Sequence, residues 1–156
     1  MKRKHPMHSL FNRTDVALIL ERVNRLSPRS IRGWGKMTVS QMLAHCCAAL
    51  EFACGKKPGR RWVFSYLLGR RLKRRFLDEN QEYPKNVPTG KDFIISGERD
   101  FDHEKTRLAG LIRQFADGGR DKCTQYPHSF FGKMAPEEWS IFMYKHLDHH
   151  LRQFGV

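Results

Sequence analysis

Apolar positions recur at helical spacing along several stretches of the chain. Val16, Ile19, Leu20, Val23 and Leu26 fall three or four residues apart, and Ser27-Pro28 interrupts the run, which predicts a helix over 11–26. A second helix is expected to open behind Thr38. Thr38 and Gln41 have the spacing of a capping box, in which each side chain takes a backbone N–H of the other, and Met37 and Met42 stand at the positions of a hydrophobic staple. The run 39–54 that follows is apolar almost all round and stops near Gly55, so it belongs deep in the protein. Residues 60–77 read as a further helix, with apolar 62–68 between basic clusters. The segment 78–101 is rich in turn formers, including Pro84, Pro88 and Gly90, with a short strand expected at 93–95. A helix over 102–116, capped by Asp102 and ended by Gly118-Gly119, precedes a loop over 120–135. The last helix opens at Pro136, a residue suited to the first turn, followed by Glu137 and Glu138 at the positive end of the helix dipole, and runs to about 154.

Four main helices, one short extra helix and almost no strand predict an all-α fold, an up-down four-helix bundle. The 156 residues suit a single domain over 1–156, and a 40% hydrophobic content excludes a disordered chain. No apolar run approaches the roughly 20 residues needed to cross a bilayer. The start Met1-Lys2-Arg3-Lys4 suggests a signal peptide, but the apolar stretch 16–20 is too short and is hemmed in by Asp15 and Glu21. A cytoplasmic location is expected. The four cysteines form no CxxC pair and are expected to be buried, reduced thiols.

The formal net charge of +13 is concentrated. Residues 56–75, KKPGRRWVFSYLLGRRLKRR, carry nine Lys or Arg and no acid, and Lys2, Arg3 and Lys4 add three more, which leaves the rest close to neutral. Two readings of 56–75 are open. It can meet nucleic acid, an anionic membrane surface or the acidic part of a cosubstrate. Equally, it can be an amphipathic helix that packs its apolar centre on the bundle and leaves solvated charges at both ends.

Candidate chemistry lies on the last helix. Trp139, Phe142, Met143, His146, His150 and Gln153 share one stripe, and its apolar members mark that stripe as core-facing. His146 and His150, four apart, stack about 6 Å from one another along the axis. A third imidazole is at hand in His45, mid-way along the most apolar helix, where it needs a polar partner. Three neutral imidazoles would hold a divalent ion such as zinc, nickel or iron and leave one position open, as catalytic sites do. The competing reading is three separately satisfied histidines. Asp148, the one nearby carboxylate, points off the stripe, and His149 sits on the helix flank.

Thr38-Val-Ser-Gln-Met-Leu-Ala-His45 and His146-Leu-Asp-His-His150-Leu-Arg-Gln153 together resemble the DinB-like superfamily, and 128–139 is similar to its branch catalogued as a domain of unknown function. The resemblance covers nearly the whole chain. It implies a four-helix bundle with a divalent metal on His45, His146 and His150. It also implies chemistry of the kind its relatives perform, thiol-dependent S-transfer with bacillithiol, mycothiol or glutathione, or hydrolysis. A low-molecular-weight thiol cosubstrate and a small-molecule electrophile are the expected partners, and a homodimer is left open. The chain departs from the pattern at Ala135, where a capping Thr is usual, a matter of about 1 kcal/mol, and in the basicity of 56–75. His128, in the loop before the last helix, is a candidate catalytic acid, base or substrate contact, with a loop-surface histidine as the alternative.

Overall fold

A computed structural model describes residues 7–156. The basic run 2–4 and the chain start read for a signal peptide lie outside the described residues.

Five α-helices follow one another: α1 (Arg13–Arg25), α2 (Val39–Ala53), α3 (Ser65–Leu77), α4 (Phe101–Gly118) and α5 (Pro136–Gln153). Two 3-10 turns, Lys91–Phe93 and Gly119–Lys122, complete the regular structure. Among the described residues there is no strand, only an isolated bridge between His128 and Gly132. Among the described residues no helix is long and apolar enough to cross a membrane.

Local signals decide most helix ends. Asn12 Oδ1 accepts from the N–H groups of Thr14 and Asp15 at 2.9 and 3.2 Å, so α1 opens two residues later than the apolar pattern alone suggests. At α2 both halves of the capping box form: the Gln41 N–H donates to Thr38 Oγ1 at 3.2 Å, and the Thr38 N–H donates to Gln41 Oε1 at 3.0 Å. The same helix closes on Gly55 at φ 74, with Lys56 N–H bonded to the Glu51 carbonyl and Gly55 N–H to that of Phe52. Glycine reaches that left-handed conformation without the clash a Cβ would cause.

Three expectations are corrected. Asp100, not Asp102, caps α4, its Oδ1 accepting from His103 N–H at 2.7 Å. The short strand at 93–95 does not form: among the described residues no partner strand is present, and 91–93 turns tightly instead, with the Phe93 N–H on the Gly90 carbonyl at 2.9 Å and the Ile94 N–H on that of Lys91 at 3.2 Å. The third correction concerns the basic segment. α3 starts at Ser65 rather than 60, and it packs through Ser65, Gly69, Leu72 and Phe76, not through apolar 62–68. Gly69 decides this contact, because a Cβ there would come within 2.9 Å of the Phe130 carbonyl oxygen. Val63, Phe64 and Leu67 are left 77 to 85 % exposed.

Burial holds the rest together. α2 packs against α4 and α5, α1 lies against the same two helices, and α3 rests on α5. Ile19, Val23, Met42, Leu43, Leu50, Ile112, Trp139, Met143 and Leu147 all meet in one apolar cluster. Lys73 ties α3 to α5 through Glu138 at 2.8 Å. Ala135 offers no side-chain cap to α5, but Glu138 supplies half a capping box by accepting the Ala135 N–H at 2.9 Å. All four cysteines are free; Cys46, Cys47 and Cys123 are buried and Cys54 is partly so. Burial raises every one of these thiols, Cys47 to about 12, so they stay neutral.

Candidate metal centre

α2 and α5 carry the site between them. Each buries a largely apolar face, rich in Met, Leu and Ala or aromatic side chains, and the three histidines on those faces are 6 to 7 % exposed. The His45 ring lies 5.0 Å from that of His146 and 4.8 Å from that of His150, and the pair on α5 stand 4.7 Å apart. One nitrogen from each falls within 4.8 Å of the others. His45 Nε2 and His146 Nε2 are 3.0 Å apart.

The surrounding hydrogen bonds assign the tautomers of two rings. The Phe93 carbonyl, 2.8 Å from His45 Nδ1, can only accept, so Nδ1 carries the proton and Nε2 keeps its lone pair. His150 is oriented through a longer chain. The Trp34 carbonyl accepts from Gln153 Nε2 at 2.7 Å, which turns the Gln153 oxygen toward His150 Nδ1 at 2.9 Å. His150 Nδ1 therefore donates, and its Nε2 is also left with a lone pair. Such outer partners orient metal-binding imidazoles and raise their basicity. His146 differs: its Nδ1 is buried with no partner.

All three rings are neutral at pH 7. Burial pushes His150 down to about 3 and also lowers His45, where the bond to the Phe93 carbonyl opposes the shift. His146 is also driven well down, by burial first and then by the charges His150 and His45 would carry. Neutral imidazole is the form that binds metal.

This donor set fits a divalent cation. Metal–nitrogen bonds of about 2.1 Å in tetrahedral geometry set ligand nitrogens roughly 3.4 Å apart; here one nitrogen of each ring lies within 4.8 Å of the others, and the closest pair is at 3.0 Å. Among the described residues no fourth His, Cys, Asp or Glu joins the group. Asp148 turns away, as expected from its position, and pairs with Arg22 at 2.7 Å and Arg152 at 3.0 Å.

A cavity of about 590 Å³ reaches His45, His146 and His150. Phe52, Tyr83, Phe93, Trp139 and Phe142 are among the aromatic side chains of its wall. His128 lines it too, stacked on Phe131 at 4.2 Å and edge-on to Phe142 at 5.1 Å. It is a partly buried pocket residue rather than a surface one. Its Nδ1 accepts from the N–H groups of Phe130 and Phe131 at 3.2 and 3.3 Å, so the proton sits on Nε2. Burial lowers its pKa to about 3. A neutral ring with that tautomer presents a hydrogen-bond donor, not a base.

Several members of the site carried weak sequence signals. The Phe93 carbonyl is backbone and has no residue signature. Gln153 lay on the histidine stripe, three residues after His150, and that spacing was the available clue. Trp34 borders the cavity, and its carbonyl holds Gln153. Tyr83, in a segment read as turns, lies tilted against the His149 ring at 4.8 Å, and burial pushes its hydroxyl well above the usual range, so it stays protonated.

The class these observations define is an all-helical protein with three buried imidazoles converging beside an aromatic cavity. The chain matches the family model described as "Protein of unknown function (DUF1569)" over residues 6–155 and belongs to that family. Neither the curated proteins nor the solved structures give a match.

Proposed function

We propose that this chain is a metal-dependent enzyme, with one divalent cation on His45, His146 and His150, that transfers a low-molecular-weight thiol to an apolar electrophile. The carrying observation is the cavity that reaches all three imidazoles where, among the described residues, no fourth protein ligand closes the group. A closed site would favour the alternative, a non-catalytic binding protein with a structural metal. On this reading the fold is a single-domain DinB-like four-helix bundle formed by α1, α2, α4 and α5, with α3 as the short extra helix, working in the cytoplasm.

When bound, the cation supplies Lewis acidity, which lowers the pKa of a thiol or a water. The chain's own groups do the rest. The Phe93 carbonyl and Gln153 hold two imidazoles in the ligand tautomer. Aromatic walls take the electrophile and exclude water. His128 offers its Nε2–H to an oxygen or leaving group of the substrate, as a fixed hydrogen-bond donor. In the reaction a sulfur–carbon bond forms, the leaving group departs with its electron pair, and the thiol proton passes to solvent.

The test is a screen of the protein loaded with zinc, nickel or iron, using glutathione and related thiols with a chloronitroarene. Metal-dependent thioether formation, lost in His45→Ala, is expected. Equal product from His45→Ala, or none with any thiol, would reject thiol transfer.

A further inference from the structure

The feature the metal centre does not use is the exposed end of α3. Val63, Phe64, Leu67 and Leu68 project from the start of the helix, and Phe64, Leu67 and Leu68 lie three and four residues apart, on one face. The same faces continue into Arg70, Arg71, Arg74 and Arg75, all exposed, and Arg60 flanks the other side. Among the described residues none of these five arginines forms a salt bridge. Such an apolar patch ringed by one sign of charge has a cost in water that only a partner removes.

We infer that the start of α3 is a docking element for an anionic phospholipid surface, with Val63, Phe64, Leu67 and Leu68 entering the interface and Arg60, Arg70, Arg71 and Arg74 meeting the headgroups. Charge decides among occupants. A second copy would bring a like-charged ring against this one, which opposes pairing. Nucleic acid answers the charge, but Val63, Leu67 and Leu68 are aliphatic, the Tyr66 ring is covered by the Arg61 guanidinium and Trp62 packs on Phe130, which leaves Phe64 alone to stack on a base. An acidic bilayer answers both, taking apolar side chains at the acyl boundary and arginines at the phosphates.

The element is held rigidly enough to dock. Arg61 Nε donates to Ser65 Oγ at 2.8 Å, its guanidinium covers the Tyr66 ring at 3.9 Å, and Trp62 packs on Phe130 at 4.9 Å. Leu72 and Phe76 on the opposite face line the cavity, as does Phe130. Docking would therefore bring one wall of the cavity close to the lipid. The inference does not rest on the metal.

Co-sedimentation of the full chain with extruded vesicles tests it. One set is phosphatidylcholine alone, the other phosphatidylcholine with 30% phosphatidylglycerol (a composition chosen at about the anionic content of a bacterial-type surface). Binding to the anionic set only is expected, weakened by salt. Phe64→Ser/Leu67→Ser and Arg70→Glu/Arg74→Glu should each lower the partition coefficient by at least about tenfold. His45→Ala should bind vesicles as the wild type does, which separates this outcome from the fate of the metal reading. Absence of binding to anionic vesicles would overturn the inference. So would binding that survives Phe64→Ser/Leu67→Ser, or a dimer in sedimentation equilibrium that this variant abolishes. Tight duplex binding lost on arginine reversal but kept by the apolar variant would assign the patch to nucleic acid instead.

Discussion

Two regions of this protein break the usual partition of residues, in opposite senses. Between α2 and α5, three imidazoles sit among Met, Ala and aromatic side chains, where polar groups are costly unless paired. At the start of α3, large apolar side chains stand in water among arginines. The first region has backbone and amide partners for two of its three rings, so its cost is largely met inside the fold. The second has no covering element among the described residues. A polar group buried with oriented partners points to a ligand from within, and an apolar group left exposed points to a surface from outside.

The largest expected contrast is in stability. Trp139 is 1 % exposed and joins Phe52, Phe142 and His128. Trp139→Ala should cost about 3–5 kcal/mol in denaturant unfolding.

Acid should act mainly on the buried region. The pKa of His128 is about 3 in the folded chain against 6.5 unfolded, so the folded state disfavours its charge. Its contribution is complete above about pH 6.5 and is lost as pH falls toward 3, by at most about 5 kcal/mol at ~1.4 kcal/mol per pKa unit. Unfolding free energies of wild type and His128→Phe over that window read the difference. The variant should show the shallower slope, even though losing the acceptor for two backbone N–H groups lowers its stability at pH 7.

Gln153→Leu sharpens the account of the triad itself. It removes the group that orients His150, and metal affinity should fall about 10–100-fold with the helices intact by circular dichroism. An unchanged affinity would make Gln153 a packing residue only.

The smallest effect belongs to the exposed region. Leu67→Ser, at a position 85 % exposed, should move stability by no more than about 0.5 kcal/mol. A larger loss would mean that the α3 apolar end packs on something in the free protein.

The reach of the sequence follows the same division. α2 was legible because Thr38, Gln41 and Gly55 announce its ends by local chemistry. That His45, His146 and His150 need polar partners was legible from an imidazole mid-way along an apolar helix and an i, i+4 pair on a core stripe; that they meet one another was favoured over three separately satisfied rings by the family resemblance. What was not legible depends on how elements settle on one another. Which face of α3 turns inward is decided by the approach of Gly69 to the Phe130 backbone, a contact between residues 61 positions apart. The Phe93 carbonyl reaches His45 from a segment whose turns carry no periodicity. Asp100 outcompeted Asp102 as a cap because both have the right side chain, and only the path of the chain chooses between them.

The most direct test of the central claim is the metal content of the purified chain after dialysis against metal-free buffer, measured beside His45→Ala. The account predicts about one divalent ion per wild-type chain and almost none in the variant. Equal content in the two proteins, or none in a wild type reloaded with zinc, nickel or iron, would contradict it.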